Sequence, residues 1–168
     1  MTGSVTPAED EVVCEIEIDA PPEKVFEALT TQAQLFEWWG REPSVELELF
    51  EMDARKGGKW RFLGRPKKGS NHGEVGEQLK KNDATEFEAH GEILEYQPPK
   101  RLTWSWIANW HEDPSHRTTV AWELAPAKGG TRVRVTHAGL SREPAARKDY
   151  KGGWQGVLKL LFTFMQTP

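Results

Sequence analysis

One cysteine, Cys14, occurs in 168 residues. A single thiol excludes an internal disulfide and any metal site built from several cysteines. Positive charge is not in excess: 22 Lys and Arg stand against 26 Asp and Glu, a net charge of −4. Nucleic-acid binders carry a basic face, so this balance argues against a nucleic-acid partner. No stretch approaches the about 20 consecutive apolar residues that span a bilayer, so no membrane span is expected. The opening, Met1 to Asp10, has neither a basic n-region nor an apolar h-region. A chain with one thiol and no such signal is expected in the cytoplasm. Also missing are a Gly-x-Ser-x-Gly elbow, a Gly-Lys-Ser/Thr phosphate loop, and any His-x-His or His-x3-His pair. A serine nucleophile, a nucleotide cradle and a metal site are therefore not expected, and no cofactor is implied.

What the chain has in excess is tryptophan, with eight residues. So many indoles serve a large core, a wide pocket, or both. The most apolar stretch is Gly153 to Gln166 (GWQGVLKLLFTFMQ). Trp154, Val157, Leu158, Leu161 and Met165 follow the i, i+3, i+4, i+7 spacing of a helix face. Leu160, Phe162 and Phe164 widen that face, and a helix this apolar must be covered.

Before it the chain alternates. Residues 1–11 read as a loose tail and 12–168 as a single domain. Val12 to Asp19 places Val12, Cys14, Ile16 and Ile18 on one face of a strand. Cys14 reads as a small core residue. Pro21-Pro22 opens a short helix with Val25, Phe26 and Leu29 inward. A second carries Leu35, Phe36, Trp38 and Trp39 and stops at Gly40. Strands follow at Val45 to Phe50, Lys59 to Leu63, Glu86 to Tyr96, Arg101 to Ala108, Arg117 to Leu124 and Thr131 to His137. Gly91 marks a kink or bulge in the third of these, and Ala127 to Gly130 is a hairpin turn. Gly64 to Thr85, with Val75 and Leu79 as its large apolar groups, reads as a long connection. Gly139 to Lys151 reads as a polar lead-in to the terminal helix. Consecutive strands with short turns form an antiparallel meander. One sheet covering one amphipathic helix is an α+β architecture.

Several short patterns occur in order along the chain: Ala20-Pro21-Pro22-x-x-Val25-Phe26-x-Ala28-Leu29-Thr30, Leu35-x-x-Trp38-Trp39-Gly40, Asp53-x-Arg55-x-Gly57-Gly58-x-Trp60, Gly91-Glu92-Ile93-Leu94-Glu95, Pro98-Pro99-x-Arg101-Leu102, Thr119-Val120-x-Trp122-Glu123-Leu124, Gly129-Gly130-Thr131-Arg132-Val133, Thr136-His137-x-Gly139-Leu140 and Gly153-Trp154. Together they resemble the START-like (SRPBCC) superfamily, in the branch homologous to the activator of the heat-shock-protein-90 ATPase. The resemblance implies the helix-grip fold: a curved antiparallel sheet of six or seven strands wrapped around the C-terminal helix, two short helices after the first strand, and an internal apolar cavity. It carries over no catalytic residue, because the matching positions are turns and core. Members of the superfamily bind lipids, hormones and polyketides, act as cyclases, or regulate a chaperone, so the fold alone does not select a function.

The cavity candidates are Trp38, Trp39, Trp60, Phe62, Trp104, Trp106, Trp122, Trp154, Leu158 and Phe162, with Glu88 and His90 as an acid/base pair or ligand anchor. Packing explains any one of these aromatics; a pocket explains the set. Glu86, Glu88, His90 and Glu92 share one strand face, and the sequence leaves open whether it is inner or outer. His72, His111 and His116 fall in expected loops, and His137 reads as a hydrogen-bonded structural group. The leading reading is a binding protein for a small apolar or aromatic ligand. The second is a cyclase or hydratase using His90 and a carboxylate in the same pocket. The third is a chaperone regulator acting through its surface; the eukaryotic activator carries a separate docking domain, whereas 11 residues precede Val12 here. A homodimer is compatible with each.

Overall fold

The computed structural model describes residues 10–166. Most of the expected tail at 1–11 lies outside them. The elements run β1 (Val12–Ile18), α1 (Pro22–Thr30), α2 (Gln32–Trp39), β2 (Val45–Met52), β3 (Lys59–Pro66), α3 (Gly73–Lys81), β4 (Phe87–Gln97), β5 (Arg101–Ala108), β6 (Arg117–Ala127), β7 (Gly130–Ala138) and α4 (Pro144–Met165).

All seven strands form one antiparallel sheet in the order β1-β7-β6-β5-β4-β3-β2. β2 to β7 are a meander. β1 joins the far side of β7, with Val12 opposite His137 and Ile18 opposite Thr131. The two short helices therefore carry the chain from one sheet edge to the other. The sheet curls around α4, which packs against β1 and α2. This is the α+β helix-grip arrangement that the alternating strands and the apolar terminal helix require.

The two sheet faces separate by chemistry. Trp60 and Phe62, Leu102, Trp104 and Trp106, Val120, Trp122 and Leu124, and Val133 and Val135 all point inward and are buried. Outward residues pair across strands as ions: Glu15 with Arg134, Glu17 with Arg132, Arg61 with Glu51 and Glu88, and Arg101 with Glu95 and Glu123. Exposed pairs of this kind each contribute about 0–1 kcal/mol, so burial on the other face holds the sheet.

Three sequence expectations change. The connection at 64–85 is not structureless: β3 runs to Pro66, and Gly73–Lys81 forms α3. Leu79, only 3% exposed, gives that helix its buried anchor. The polar lead-in at 139–151 is mostly helix, since α4 begins at Pro144. Proline at a first helical position costs no hydrogen bond, and Ala146 and Tyr150 face inward from these early turns. The irregularity in β4 falls between Ile93 and Glu95. Gly91 is needed for another reason: a Cβ there would lie 2.0 Å from the Ser105 carbonyl oxygen. That same carbonyl accepts the Trp60 indole N–H at 2.9 Å.

Candidate functional site

Strands of period two bring every second side chain of β3, β5 and β6 to the concave face, and α4 lies over it. Indole rings consequently meet in a continuous array. Centroids are 4.9 Å apart for Trp60 and Trp104, 5.1 Å for Trp60 and Trp106, 5.7 Å for Trp104 and Trp122, and 5.4 Å for Trp106 and Trp154. Trp39 joins from α2 at 6.4 Å from Trp104. Of the ten apolar candidates, nine are buried here; Phe162 is partly exposed. The rings are in mutual contact, and the space between sheet and helix is closed in this state.

Glu88 and His90 lie on the other face. Glu88 pairs with Arg61 at 3.2 Å, and His90 is exposed. The reason is the phase of β4: Phe87, Ala89 and Ile93 take the inner positions, which turns Glu88, His90 and Glu92 outward. His90 borders an open groove of about 420 Å³ with Gln32, Trp60 and Arg61.

The inner face has its own polar groups. Tyr150 of α4 accepts hydrogen bonds from the indole N–H of Trp106 and of Trp110, both at 3.0 Å. Its hydroxyl stands 2.7 Å from His111 Nε2. With two donors already on the oxygen, the phenolic proton goes to that nitrogen. Burial raises the Tyr150 pKa, and burial followed by the nearby His116 lowers His111 to about 4. A second chain runs from Trp154, whose N–H donates to His137 Nδ1 at 3.1 Å. Thr118 gives its own proton to the Trp106 carbonyl at 2.9 Å, so it accepts from His137 Nε2 at 2.8 Å. His137 is thus neutral with its proton on Nε2, and burial holds its pKa well below the usual value. The structural role expected for it stands.

Most indoles have acceptors: Trp38 donates to the Ala28 carbonyl, Trp60 to Ser105, and Trp106, Trp110 and Trp154 as above. Trp104 and Trp122 do not. Their Nε1 atoms are buried without a partner, on neighbouring rings of β5 and β6. Buried donors are nearly always satisfied, and leaving one unpaired costs about 1–3 kcal/mol.

Sequence reasoning missed Trp110, Tyr150, His111 and Glu143. Trp110 is buried and stacks on Phe62 with centroids 6.1 Å apart, because β5 keeps its inward phase into the residues that follow it. The two faces of an expected polar lead-in gave no sign of Tyr150 or Glu143. No metal was expected, since the histidines lack a ligand spacing. Among the described residues, however, His111, His116 and Glu143 bring ligand atoms within 4.8 Å of one another. They come from a loop and a helix start about 30 positions apart, which no local pattern shows.

A family model described as activator of Hsp90 ATPase homolog 1-like protein matches residues 19–166. No curated protein matches the chain. Protein CV1439 from Chromobacterium violaceum has the same fold at a TM-score of 0.73 and 21% identity, covering 95% of this chain and 99% of that one. The Aha1 dimer from Colwellia psychrerythraea matches at 0.65 and 19%, covering 93% and 96%. DynU16, a protein in the dynemicin biosynthetic locus, matches at 0.66 and 18% over 94% of this chain and 48% of its own. At these identities the likeness is one of fold. No helix among the described residues is long and apolar enough to cross a membrane.

Proposed function

This chain belongs to the activator of Hsp90 ATPase homolog 1-like family, and we propose that it is a cytoplasmic binding protein for a small, flat, apolar molecule that carries a hydrogen-bond acceptor. The observation that carries the reading is the pair of unpartnered indole donors, Trp104 and Trp122, on the concave face. Rings around them supply apolar burial at about 25 cal/mol per Å² before binding costs. The two N–H groups supply orientation. A ketone, quinone or ester oxygen is the kind of acceptor that each of these N–H groups would take.

Entry requires the closed space to open. Helix α4 is the movable wall. Gly152, Gly153 and Gly156 lie in its middle, and a Cβ at any of them would meet no neighbouring atom. Packing does not demand these glycines, and each weakens a helix by about 1 kcal/mol relative to alanine. The helix turn carrying Trp154 is thereby the weakest part of the wall. The place of DynU16 in a biosynthetic locus is compatible with a small-molecule ligand.

The other readings have less behind them. A cyclase or hydratase finds no acid/base pair in Glu88 and His90, which face solvent. A surface-acting chaperone regulator needs an exposed apolar or charged docking patch; among the described residues Val13 and Phe36 are the exposed large hydrophobics. A homodimer, as described for the Colwellia protein, is compatible with binding and is read by sedimentation. Native mass spectrometry of the purified protein tests the proposal. A co-purifying molecule with an aromatic or polyene body and a carbonyl-type oxygen supports it. Bare-chain mass together with an unchanged melting temperature across a panel of such compounds contradicts it.

A further inference from the structure

On the side of His111 away from Tyr150, the loop after β5 meets the start of α4. Glu143 is 2% exposed and sits at the N-cap of that helix. Its carboxylate accepts the backbone N–H of Glu112 at 2.6 Å and of Asp113 at 3.3 Å. His116 Nδ1 lies 3.3 Å from Glu143 Oε2. His111 is fully buried, with Nε2 committed to Tyr150. Its other nitrogen, Nδ1, is buried, makes no side-chain hydrogen bond and faces the His116 backbone.

Three features separate this group from an ordinary ion pair. First, two imidazoles and a carboxylate are a ligand set for zinc and its neighbours, with a fourth position left for water. Second, ligands bonded at about 2.0–2.1 Å and at a tetrahedral angle stand roughly 3.3 Å apart; His116 Nδ1 and Glu143 Oε2 already have that separation. The third ligand closes from within 4.8 Å. Third, the outer shell is built. Tyr150 holds His111 through Nε2, and the Glu112 amide holds the carboxylate, the kind of support that orients metal ligands.

We propose that His111 Nδ1, His116 and Glu143 form a binding site for a divalent transition-metal ion of the zinc class. Binding makes one bond from each residue to the ion. Of the two protons that Tyr150 and His111 hold between them, the one on Nδ1 leaves to solvent. The phenolic proton passes to Nε2, which then donates to a Tyr150 phenolate that keeps its two indole donors, its charge offset by the ion. The site does not depend on the ligand reading above, because it uses neither Trp104 nor Trp122.

The test uses the full chain freed of metal by chelator and then titrated with zinc or cobalt(II) chloride alone. Calorimetry should show one ion per chain and release of protons. The cobalt form should show the strong visible absorption of a tetrahedral site, and the melting temperature should rise. His116→Asn and Glu143→Gln should each weaken binding by more than the ~10–100-fold that loss of an outer-shell partner causes. His90→Asn, on the outer sheet face, should leave it unchanged. Because Glu143 also ties down the loop, His116→Asn with an unaltered metal-free circular dichroism spectrum is the deciding variant. No saturable one-to-one binding, full binding in His116→Asn, or equal loss in His90→Asn would overturn the proposal. The cluster would then be an ion contact that fastens the loop.

Discussion

Trp154 of the terminal helix donates its indole N–H to Nδ1 of His137 on β7, 3.1 Å away and out of reach of water. That bond fixes where the helix sits on the sheet. Trp154→Phe keeps most of the apolar bulk and removes the donor. It should cost about 1–3 kcal/mol, because the His137 acceptor is left buried and unpaired. Denaturant unfolding measures it. A loss within a few tenths of a kcal/mol would mean the helix is placed by packing alone.

His137 and His111 both have pKa values lowered by burial, His111 to about 4. Each is neutral when folded and takes up a proton at about pH 6.5 when unfolded. The unfolded chain therefore binds more protons below that pH. Their contribution is complete above it, and is lost as pH falls towards the folded values, at up to about 1.4 kcal/mol per pH unit for each group. Urea unfolding at neutral pH and at pH 5 should show a clear drop in stability. A flat profile would contradict the neutral, buried assignment.

Replacing Gly152, Gly153 and Gly156 by alanine should stabilise the protein. Their side-chain directions are open, so each exchange should add about 0.4–1 kcal/mol by restricting the unfolded chain and improving helix propensity. If α4 must loosen to admit a ligand, the triple variant should also bind more slowly. Stopped-flow tryptophan emission reads that rate.

Leu79→Ala should cost about 2–5 kcal/mol, a core value, although it lies in a segment with little apolar sequence. Thermal unfolding checks it. A change below about 0.5 kcal/mol would show that α3 is a loosely held ornament, closer to the connection that its composition suggests.

This last residue shows where legibility ends. Strand alternation is a local signal. The faces of β1, β3, β5, β6 and β7 follow from it directly, and an apolar terminal stretch next to them leaves one packing solution. The segment at 64–85 carries a single buried anchor and several glycines, so nothing local distinguishes a short helix from a loop. The start of α4 is obscured in the same way by its glycines and polar residues. In β4, alternation groups Glu88 with His90 and Phe87 with Ala89, but which pair faces inward is set by the sheet's closure over α4. The donors of Trp104 and Trp122 and the cluster at His111, His116 and Glu143 depend on partners far apart in sequence. Only assembly of the chain reveals which of them are satisfied.

The central claim is that the indole N–H groups of Trp104 and Trp122 wait for a ligand's acceptor. It is tested most directly by titrating a panel of flat aromatic ketones and quinones while following tryptophan emission, in the native chain and in Trp104→Phe and Trp122→Phe. Phenylalanine removes the donor and keeps an apolar ring. The account predicts saturable binding to the native protein that weakens by about tenfold or more in each variant, the equivalent of about 1.4 kcal/mol for a lost hydrogen bond. Trp110→Phe, whose indole already has Tyr150 as partner, should bind within a few-fold of native. No saturable binding in the native chain, or equal affinity in all four proteins, would contradict it.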